Sequence, residues 1–135
     1  MPYTYSDLCS LLDHIDSKNL NVFHRKLAGV SLAGNRIEEI TVTNFDKTKE
    51  QISLPVIILM ARAHPGETVS SWIMHEFLNF IVSADSEAIQ LRNNFVFKLF
   101  PMVNPDGVIH GNYRCSLSGR DLNRKWSNPN KDIFP

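Results

Sequence analysis

The chain has 135 residues, of which 43% are hydrophobic and 21% are charged, a composition typical of one globular domain with a modest core. Lysine plus arginine equals aspartate plus glutamate, at 14 each, so no net charge favours nucleic acid or a membrane surface as a partner. No apolar run reaches about 18 residues and the start is not a basic, apolar leader, so we expect neither a membrane span nor a secretory signal. Cys9 and Cys115 form no disulfide framework, which favours a reducing cytosol and free thiols.

The first part of the chain predicts a helix followed by a β-hairpin. Residues 5–18 carry leucine and isoleucine at the spacing of one helical face. Two short β-like runs, 21–30 and 36–43, flank Ala33-Gly34-Asn35, which is a hairpin turn signal. Residues 44–53 are polar and predict a loop.

Strands and helices alternate from residue 50 onward. The apolar run 56–61 is typical of a central strand covered on both faces. Residues 68–82 and 86–93 predict helices, and residues 94–100 predict another strand. The first of these helices is expected to present one apolar face, made of Val69, Trp72, Ile73, Phe77 and Phe80. This alternation predicts an α/β fold with a mixed, mainly parallel central sheet, helices on both faces and an antiparallel edge.

After the last strand the pattern changes. Asn104-Pro105-Asp106-Gly107 predicts a type I turn. Residues 108–135 have little apolar periodicity and are expected to be loop-like.

His64 and Glu67 form the candidate metal site, with Pro65 and Gly66 between them. The proline disfavours the α region for His64, which is therefore expected to end the strand, and the glycine permits whatever φ the turn requires. Glu67 is expected in the first helical turn. An imidazole nitrogen and a carboxylate oxygen three residues apart can both bind one zinc ion, at the sheet edge where α/β proteins bind ligands.

A catalytic zinc normally takes three protein ligands, and only two are visible in this pattern. His75 is expected to be a surface or half-buried helix residue, and His110 to follow the turn without binding metal. His14 and His24 are expected at the surface.

A cationic cluster follows the turn, with Arg114, Arg120 and Arg124 close together and Asn123 beside the last. Arginine forks bind carboxylates bidentately. A metal combined with arginines and an amide would suit an anionic substrate whose carbonyl is attacked by water.

Four motifs occur in order at residues 64–67, 104–108, 111–115 and 119–124: His-Pro-Gly-Glu, Asn-Pro-Asp-Gly-Val, Gly-Asn-Tyr-Arg-Cys and Gly-Arg-Asp-Leu-Asn-Arg. Together with the opening residues 2–8, this series resembles the zinc metallocarboxypeptidases. It is most similar to the cytosolic branch, whose members remove glutamates from tubulin and other proteins. Ordered motifs are far more specific than any one of them alone.

The resemblance implies a role for each motif. His64 and Glu67 would be zinc ligands, and Arg114 would be the catalytic residue that contacts the substrate and polarises the scissile carbonyl. Asn123 and Arg124 would bind the substrate's C-terminal carboxylate. Asp121 would be structural and Asp106 with Gly107 would shape the loop, whereas Arg120 matches no role.

The resemblance also implies elements outside these motifs. The family's third zinc ligand is a histidine further downstream, its general base is a glutamate beyond that, and in this branch a β-sandwich domain precedes the peptidase domain. Residues 1–135 are therefore expected to be the N-terminal portion of a catalytic domain, without a second domain and inactive in isolation.

The implied function is a metallocarboxypeptidase that removes C-terminal residues, glutamates above all, from protein or peptide tails such as those of tubulin. The implied location is the cytoplasm, with association with microtubules. Two alternatives stay open: a zinc-dependent deacylase of N-acyl amino acids on a similar scaffold, and an inactive fragment or pseudoenzyme.

Overall fold

The structure is a computed structural model that describes residues 2–49, 53–124 and 126–127. The elements in chain order are α1 (Tyr5–Ser17), β1 (Phe23–Val30), β2 (Arg36–Val42), α2 (Phe45–Lys49), β3 (Val56–Met60), α3 (Thr68–Ile81), α4 (Ser86–Asn94), β4 (Val96–Phe100), α5 (Pro105–His110) and a 3-10 turn (Leu122–Arg124). The strands and helices expected from periodicity are all present near the predicted positions.

The strands form one sheet in the order β1-β2-β4-β3. The β1/β2 and β2/β4 pairs are antiparallel, and β3/β4 is parallel. The α/β class and the mixed sheet are confirmed. Parallel pairing is confined to one of the three strand pairs in the described residues, so "mainly parallel" does not describe this part of the sheet.

One face of the sheet carries the core. Thr4 and Asp7 form a capping box that fixes the start of α1, and the leucine stripe of this helix packs with α3 against β2 and β4. The buried apolar side chains of this core include Leu8, Leu11, Leu12, Ile15, Ile40, Val42, Met74, Leu78, Ile81, Phe97 and Leu99. No helix in the described part of the chain is long and apolar enough to cross a membrane.

The prediction that β3 is a central strand covered on both faces is wrong for the described sheet, where β3 is the last strand. Val56, Ile58 and Met60 are 56%, 60% and 51% exposed. The alternate side chains Ile57 and Leu59 are partly buried and pack on the core. A continuous apolar run therefore marks a strand correctly without showing which of its faces is covered.

The expected apolar face of α3 is only partly correct. Phe77 and Phe80 are partly buried and pack against the core, but Val69, Trp72 and Ile73 are 65%, 44% and 65% exposed. The buried residues of the helix are Ser71, Met74, Leu78 and Ile81. The helix has apolar residues on most of its circumference, and contact with the sheet selects which stripe is buried.

Two segments expected to be irregular contain helices. The predicted loop 44–53 contains α2 in its described part. The predicted type I turn is the first turn of α5, because the Asn104 side chain accepts a hydrogen bond from Gly107 N at 3.1 Å and Pro105 occupies the first turn. Proline there needs no N–H partner and has the helical φ.

The buried Asp106 carboxylate anchors the β1–β2 hairpin to the start of α5. It accepts hydrogen bonds from the Ser31 hydroxyl, the Ala33 backbone N–H at 3.1 Å and the Asn35 amide at 2.8 Å. Burial alone would raise the pKa of Asp106, but these hydrogen bonds outweigh it and hold the pKa below its ordinary value. Asp106 therefore shapes this loop, as the resemblance implied.

We expect the exposed row on β3 to promote self-association of the 135-residue chain, because an apolar strand edge is a template for pairing. Ile58→Lys should reduce association measured by sedimentation velocity, while changing the free energy of unfolding by no more than about 0.5 kcal/mol. The matched change one residue away, Ile57→Lys, places a charge against the core and should cost about 2 kcal/mol or more in urea unfolding. Equal stability loss in both variants would contradict the assigned faces of β3.

Candidate metal and substrate site

The candidate site lies at the carboxyl ends of β3 and β4. The parallel pairing continues past both strands, since Ala61 N donates to Phe100 O at 3.0 Å and Val103 N donates to Ala61 O at 3.1 Å. The Asn104 amide then donates to Ala63 O at 3.2 Å. These bonds place the loop after β3 beside the loop after β4, at the edge where open α/β sheets bind ligands.

His64 and Glu67 face each other across the turn between β3 and α3. His64 Nδ1 lies 2.9 Å from Glu67 Oε1. The imidazole is buried, with 10% of its side chain exposed, whereas the Glu67 side chain is 60% exposed. The His64 imidazole is therefore held in place by surrounding protein atoms, whereas the Glu67 carboxylate has room to adjust to a metal ion.

Two details of this turn differ from the sequence-based expectation. His64 does not end the strand, which stops at Met60, and Glu67 is the N-cap residue of α3 rather than part of its first turn. The chain leaves the strand direction at Arg62, whose φ of +57° is left-handed.

Asp121 fixes the orientation of His64 from the other side of the ring. Its Oδ1 lies 3.0 Å from His64 Nε2. With Nε2–H assigned as the donor, Nδ1 carries the lone pair that a metal requires. Histidine ligands of metals commonly have a carboxylate in this position, which sets the tautomer and raises the basicity of the ligand.

The donor atoms fit two positions of a zinc site. Tetrahedral zinc with bonds of ~2.0–2.1 Å separates its donors by roughly 3.3 Å, and the pair of His64 Nδ1 and Glu67 Oε1 would need to open only slightly. Asp121 faces the opposite ring nitrogen and cannot join the same ion. No group of three His, Cys, Asp or Glu side chains suited to a metal occurs among the described residues, so these residues supply two ligands.

Arg114 reaches the same site through the same carboxylate. Its Nε donates to Asp121 Oδ2 at 2.7 Å, and its side chain is 47% exposed. Burial alone would raise the pKa of Asp121, but hydrogen bonds from His64 and Arg114 outweigh it and lower the pKa of this carboxyl. The predicted metal ligand and the predicted catalytic arginine thus share one anionic partner.

Asn123 and Arg124 lie in the exposed 3-10 turn that follows Asp121. Asn123 N donates to Asp121 Oδ1 at 2.9 Å, and Asn123 Oδ1 accepts from Trp126 Nε1 at 2.8 Å. Arg124 Nη1 donates to Asn123 O at 3.1 Å. The turn joins Asn123 directly to the site, whereas the hydrogen bond that the Arg124 side chain makes to the described residues stays within the turn.

Two glycines allow the motifs to pack this closely. A Cβ on Gly66 would lie 2.8 Å from Tyr113 O, and a Cβ on Gly107 would lie 2.4 Å from Pro65 Cγ. Gly66 N also donates to Tyr113 O at 2.8 Å. The His-Pro-Gly-Glu turn is therefore in backbone contact with the segment that carries Arg114, and its Pro65 ring packs against Gly107 in the first turn of α5.

The other candidate residues lie outside this arrangement. His75 is half-buried and its Nδ1 lies 2.9 Å from the Tyr3 hydroxyl, while His110 is exposed. His14, His24 and Arg120 are exposed, and Cys9 and Cys115 are free. The exposure of His14, His24 and His75 agrees with the expectation from the sequence.

Arg62 is the site residue that sequence reasoning missed. It is 3% exposed and donates two hydrogen bonds to Pro65 O, at 3.0 and 2.7 Å. Its only signal in the sequence is a charge placed directly after an apolar strand and ahead of a Pro-Gly turn, where a solvated side chain would be the ordinary expectation.

Comparison with known proteins gives one consistent family. The model of the peptidase M14 zinc carboxypeptidase family matches residues 8–133. The chain is 50% identical to mouse cytosolic carboxypeptidase 2 over 137 residues, 47% identical to the human protein of that name, and 43% identical to Xenopus laevis cytosolic carboxypeptidase 1. In each case 99% of this chain is covered, and it spans 16%, 15% and 12% of the relative.

Solved structures agree with this result. A Pseudomonas aeruginosa metallo-carboxypeptidase matches 99% of this chain with a TM-score of 0.85 at 29% identity, and the match covers 34% of that structure. A Burkholderia cenocepacia metallo-carboxypeptidase matches 99% with a TM-score of 0.90 at 24% identity, covering 36% of that structure; at this identity the likeness shows the fold.

We predict that zinc binding by the 135-residue chain is weak and depends on the pair of His64 and Glu67. Two protein ligands leave the remaining coordination positions to water. In a chelator-competition titration, His64→Ala and Glu67→Ala should abolish specific binding, and Asp121→Ala should weaken it ~10–100-fold. His110→Ala is the control because it removes an exposed histidine that lies outside the site. Equal zinc affinity in wild type and His64→Ala would remove the proposed site.

Proposed function

Because the chain belongs to the zinc carboxypeptidase family, we propose that the protein containing it is a zinc metallocarboxypeptidase. The substrates would be protein or peptide tails, from which it hydrolyses C-terminal residues. The chain spans 16% or less of the length of the cytosolic carboxypeptidases named above, so the proposal concerns the whole protein, to which this chain contributes one side of the site.

The observation that carries the proposal is the shared Asp121 carboxylate. It holds the buried imidazole of His64 through Oδ1 and the half-exposed guanidinium of Arg114 through Oδ2, at 3.0 and 2.7 Å. This carboxylate would thereby orient both a metal ligand and a cation able to stabilise an oxyanion, which are two of the groups that hydrolysis of an amide uses.

Each side chain of the candidate site would have a separate role in the reaction. His64 and Glu67 would hold zinc, which when bound supplies a Lewis acid and lowers the pKa of water. Arg114 would donate from its Nη groups to the scissile carbonyl, because the bond to Asp121 uses only Nε. Asn123 and Arg124, on an exposed turn, would bind the terminal carboxylate of the substrate.

The comparisons support this proposal, and the resemblance makes it more specific. The Pseudomonas aeruginosa relative was solved in complex with (2-guanidinoethylmercapto)succinic acid, a molecule that carries two carboxyl groups. The resemblance to the cytosolic branch adds glutamate as the residue removed, tubulin tails as substrates and the cytoplasm as the location. The names of the most similar relatives favour peptidase activity over the deacylase alternative.

The first prediction from this function concerns the free carboxylate. The full-length protein should cleave an acidic peptide with a free C-terminus and leave the amidated peptide intact, because amidation removes a charge-assisted, bidentate pair with arginine. Arg124→Ala should raise KM for the free peptide about tenfold or more, whereas Arg120→Ala, an exposed arginine in the same segment, should leave it unchanged. Similar cleavage of both peptides would exclude an exopeptidase.

The second prediction concerns Arg114. Arg114→Ala in the full-length protein should lower kcat by ~10²–10³, the usual cost of removing an oxyanion donor. Zinc content must be measured alongside, because Arg114 and His64 share Asp121 as a partner. A variant with full zinc content and unchanged kcat would show that Arg114 is not catalytic. The 135-residue chain should show no turnover in the same assay.

A further inference from the structure

We infer that Arg62 is a positioning residue, whose buried guanidinium holds the turn carrying His64 and Glu67 in the shape that the metal site needs. The inference rests on the proposed metal site and adds a residue that touches neither metal nor substrate. It follows from the contacts of Arg62, from its backbone conformation and from the chemistry of its partners.

The contact with Pro65 acts directly on the turn. Both Nε and Nη2 of Arg62 donate to Pro65 O, at 3.0 and 2.7 Å. Pro65 immediately follows His64 and precedes Glu67 by two residues, so its carbonyl belongs to the backbone that joins the two ligands. Fixing the direction of this carbonyl restricts the peptide planes on which the separation of the imidazole and the carboxylate depends.

The other side of the guanidinium anchors this turn to two distant segments. Nη1 donates to Tyr3 O and to Ser71 Oγ, each at 3.0 Å. Tyr3 precedes α1, and Ser71 lies in the first turn of α3. The planar guanidinium of arginine can donate to Pro65 O, Tyr3 O and Ser71 Oγ at once, whereas the single ammonium group of a lysine cannot reach all three oxygens.

The backbone of Arg62 is strained, which indicates that its place is determined by its surroundings. Two non-glycine residues in the described chain have positive φ, Asn19 at +48° and Arg62 at +57°. Asparagine adopts this region readily, but arginine does so only at an energetic cost. Such strain persists only where surrounding contacts outweigh it; here these are the hydrogen bonds of the Arg62 guanidinium and that of its backbone N–H to Ser70 Oγ at 3.3 Å.

The partners of Arg62 argue against a simple role in stability. Within the described residues its guanidinium is bonded to two carbonyls and one hydroxyl, and none of the ion pairs there involves it. A buried cation without an anionic partner is expensive, and an apolar residue of similar volume often gives equal stability. We therefore explain the buried Arg62 by the conformation that it imposes on the turn between His64 and Glu67.

The chain supplies a matched control in Arg92. This arginine is also buried, at 7% exposed, and Nη1 donates to Ile81 O and Ser83 O at 2.6 and 2.9 Å. It joins the end of α3 to α4 and contacts no residue of the candidate site. Replacing it removes the same chemistry at a distance from the metal turn.

The test compares Arg62→Met, Arg62→Lys and Arg92→Met in the full-length protein. Zinc affinity is measured by chelator competition, and coordination geometry by the visible absorption of the cobalt-substituted protein. We expect Arg62→Met to weaken zinc binding ~10–100-fold, the range found when groups that orient metal ligands are removed, and to change the cobalt spectrum. Arg62→Lys should lie between wild type and Arg62→Met. Arg92→Met should leave zinc affinity within about twofold, and its Tm, measured beside that of Arg62→Met, shows what the loss of a buried guanidinium costs in stability.

Arg62→Met with wild-type affinity and an unchanged cobalt spectrum would overturn the inference while leaving the proposed function intact. An equal loss of affinity in Arg92→Met would also overturn it, since the effect would then be one of general stability. Should Arg62→Met not fold, Arg62→Lys decides: weakened affinity with a retained Tm supports the inference, and unchanged affinity overturns it. A wild-type protein that binds no zinc would remove the proposed function and, with it, the role of Arg62.

Discussion

The carboxylate of Asp121 is the contact on which the candidate site depends. It accepts hydrogen bonds from His64 Nε2, Arg114 Nε and Asn123 N, and these donors come from the loop after β3 and from the segment after α5. A single anion thereby links residues 57 positions apart in the chain. Its low pKa follows from these bonds, and it keeps the carboxylate ionised and able to accept from all three donors.

The contact between Asp121 and His64 depends on close packing between the backbone segments around it. Asp121 reaches His64 because the segment after α5 packs on the turn after β3. A Cβ on Gly66 would clash with Tyr113 O in that segment, and a Cβ on Gly107 would clash with the Pro65 ring. The parallel pairing of β3 with β4 puts the carboxyl ends of both strands at one edge. The strand pairing therefore places the site at one edge of the sheet, and the two glycines allow the segments there to pack closely. Asp121 then orients the side chains of His64 and Arg114.

How far the sequence predicted this structure depended on whether a signal was local. The leucine stripe of α1 and the hairpin around Gly34 are local patterns, and both were predicted correctly. The covered face of β3 was not, and that of α3 only in part, because Ile57 and Ile58 are the same residue type and only the position of β3 in the sheet distinguishes them. The Asn104-Pro105 pair is a signal both for a turn and for a helix start, and the hydrogen bond from Gly107 N to Asn104 Oδ1 resolves it. The ordered motifs named the family, but the bond between Asp121 and His64 could not be read from them, since it depends on tertiary packing.

Arg62 and Arg114 show two ways in which one side chain type is used within the same site. Arg62 is 3% exposed, and four of its five N–H groups donate to Pro65 O, Tyr3 O and Ser71 Oγ, so it is built into the turn and not presented to a substrate. Arg114 is 47% exposed, and its hydrogen bond to Asp121 uses Nε, so this bond orients the guanidinium without using either Nη group. A cation that must stabilise developing charge has to be oriented before the substrate arrives and still have free donors. The bond from Arg114 Nε to the ionised Asp121 carboxylate meets both conditions. The other partner of Asp121 is His64, and we infer that Arg62 holds its position through the hydrogen bonds to Pro65 O.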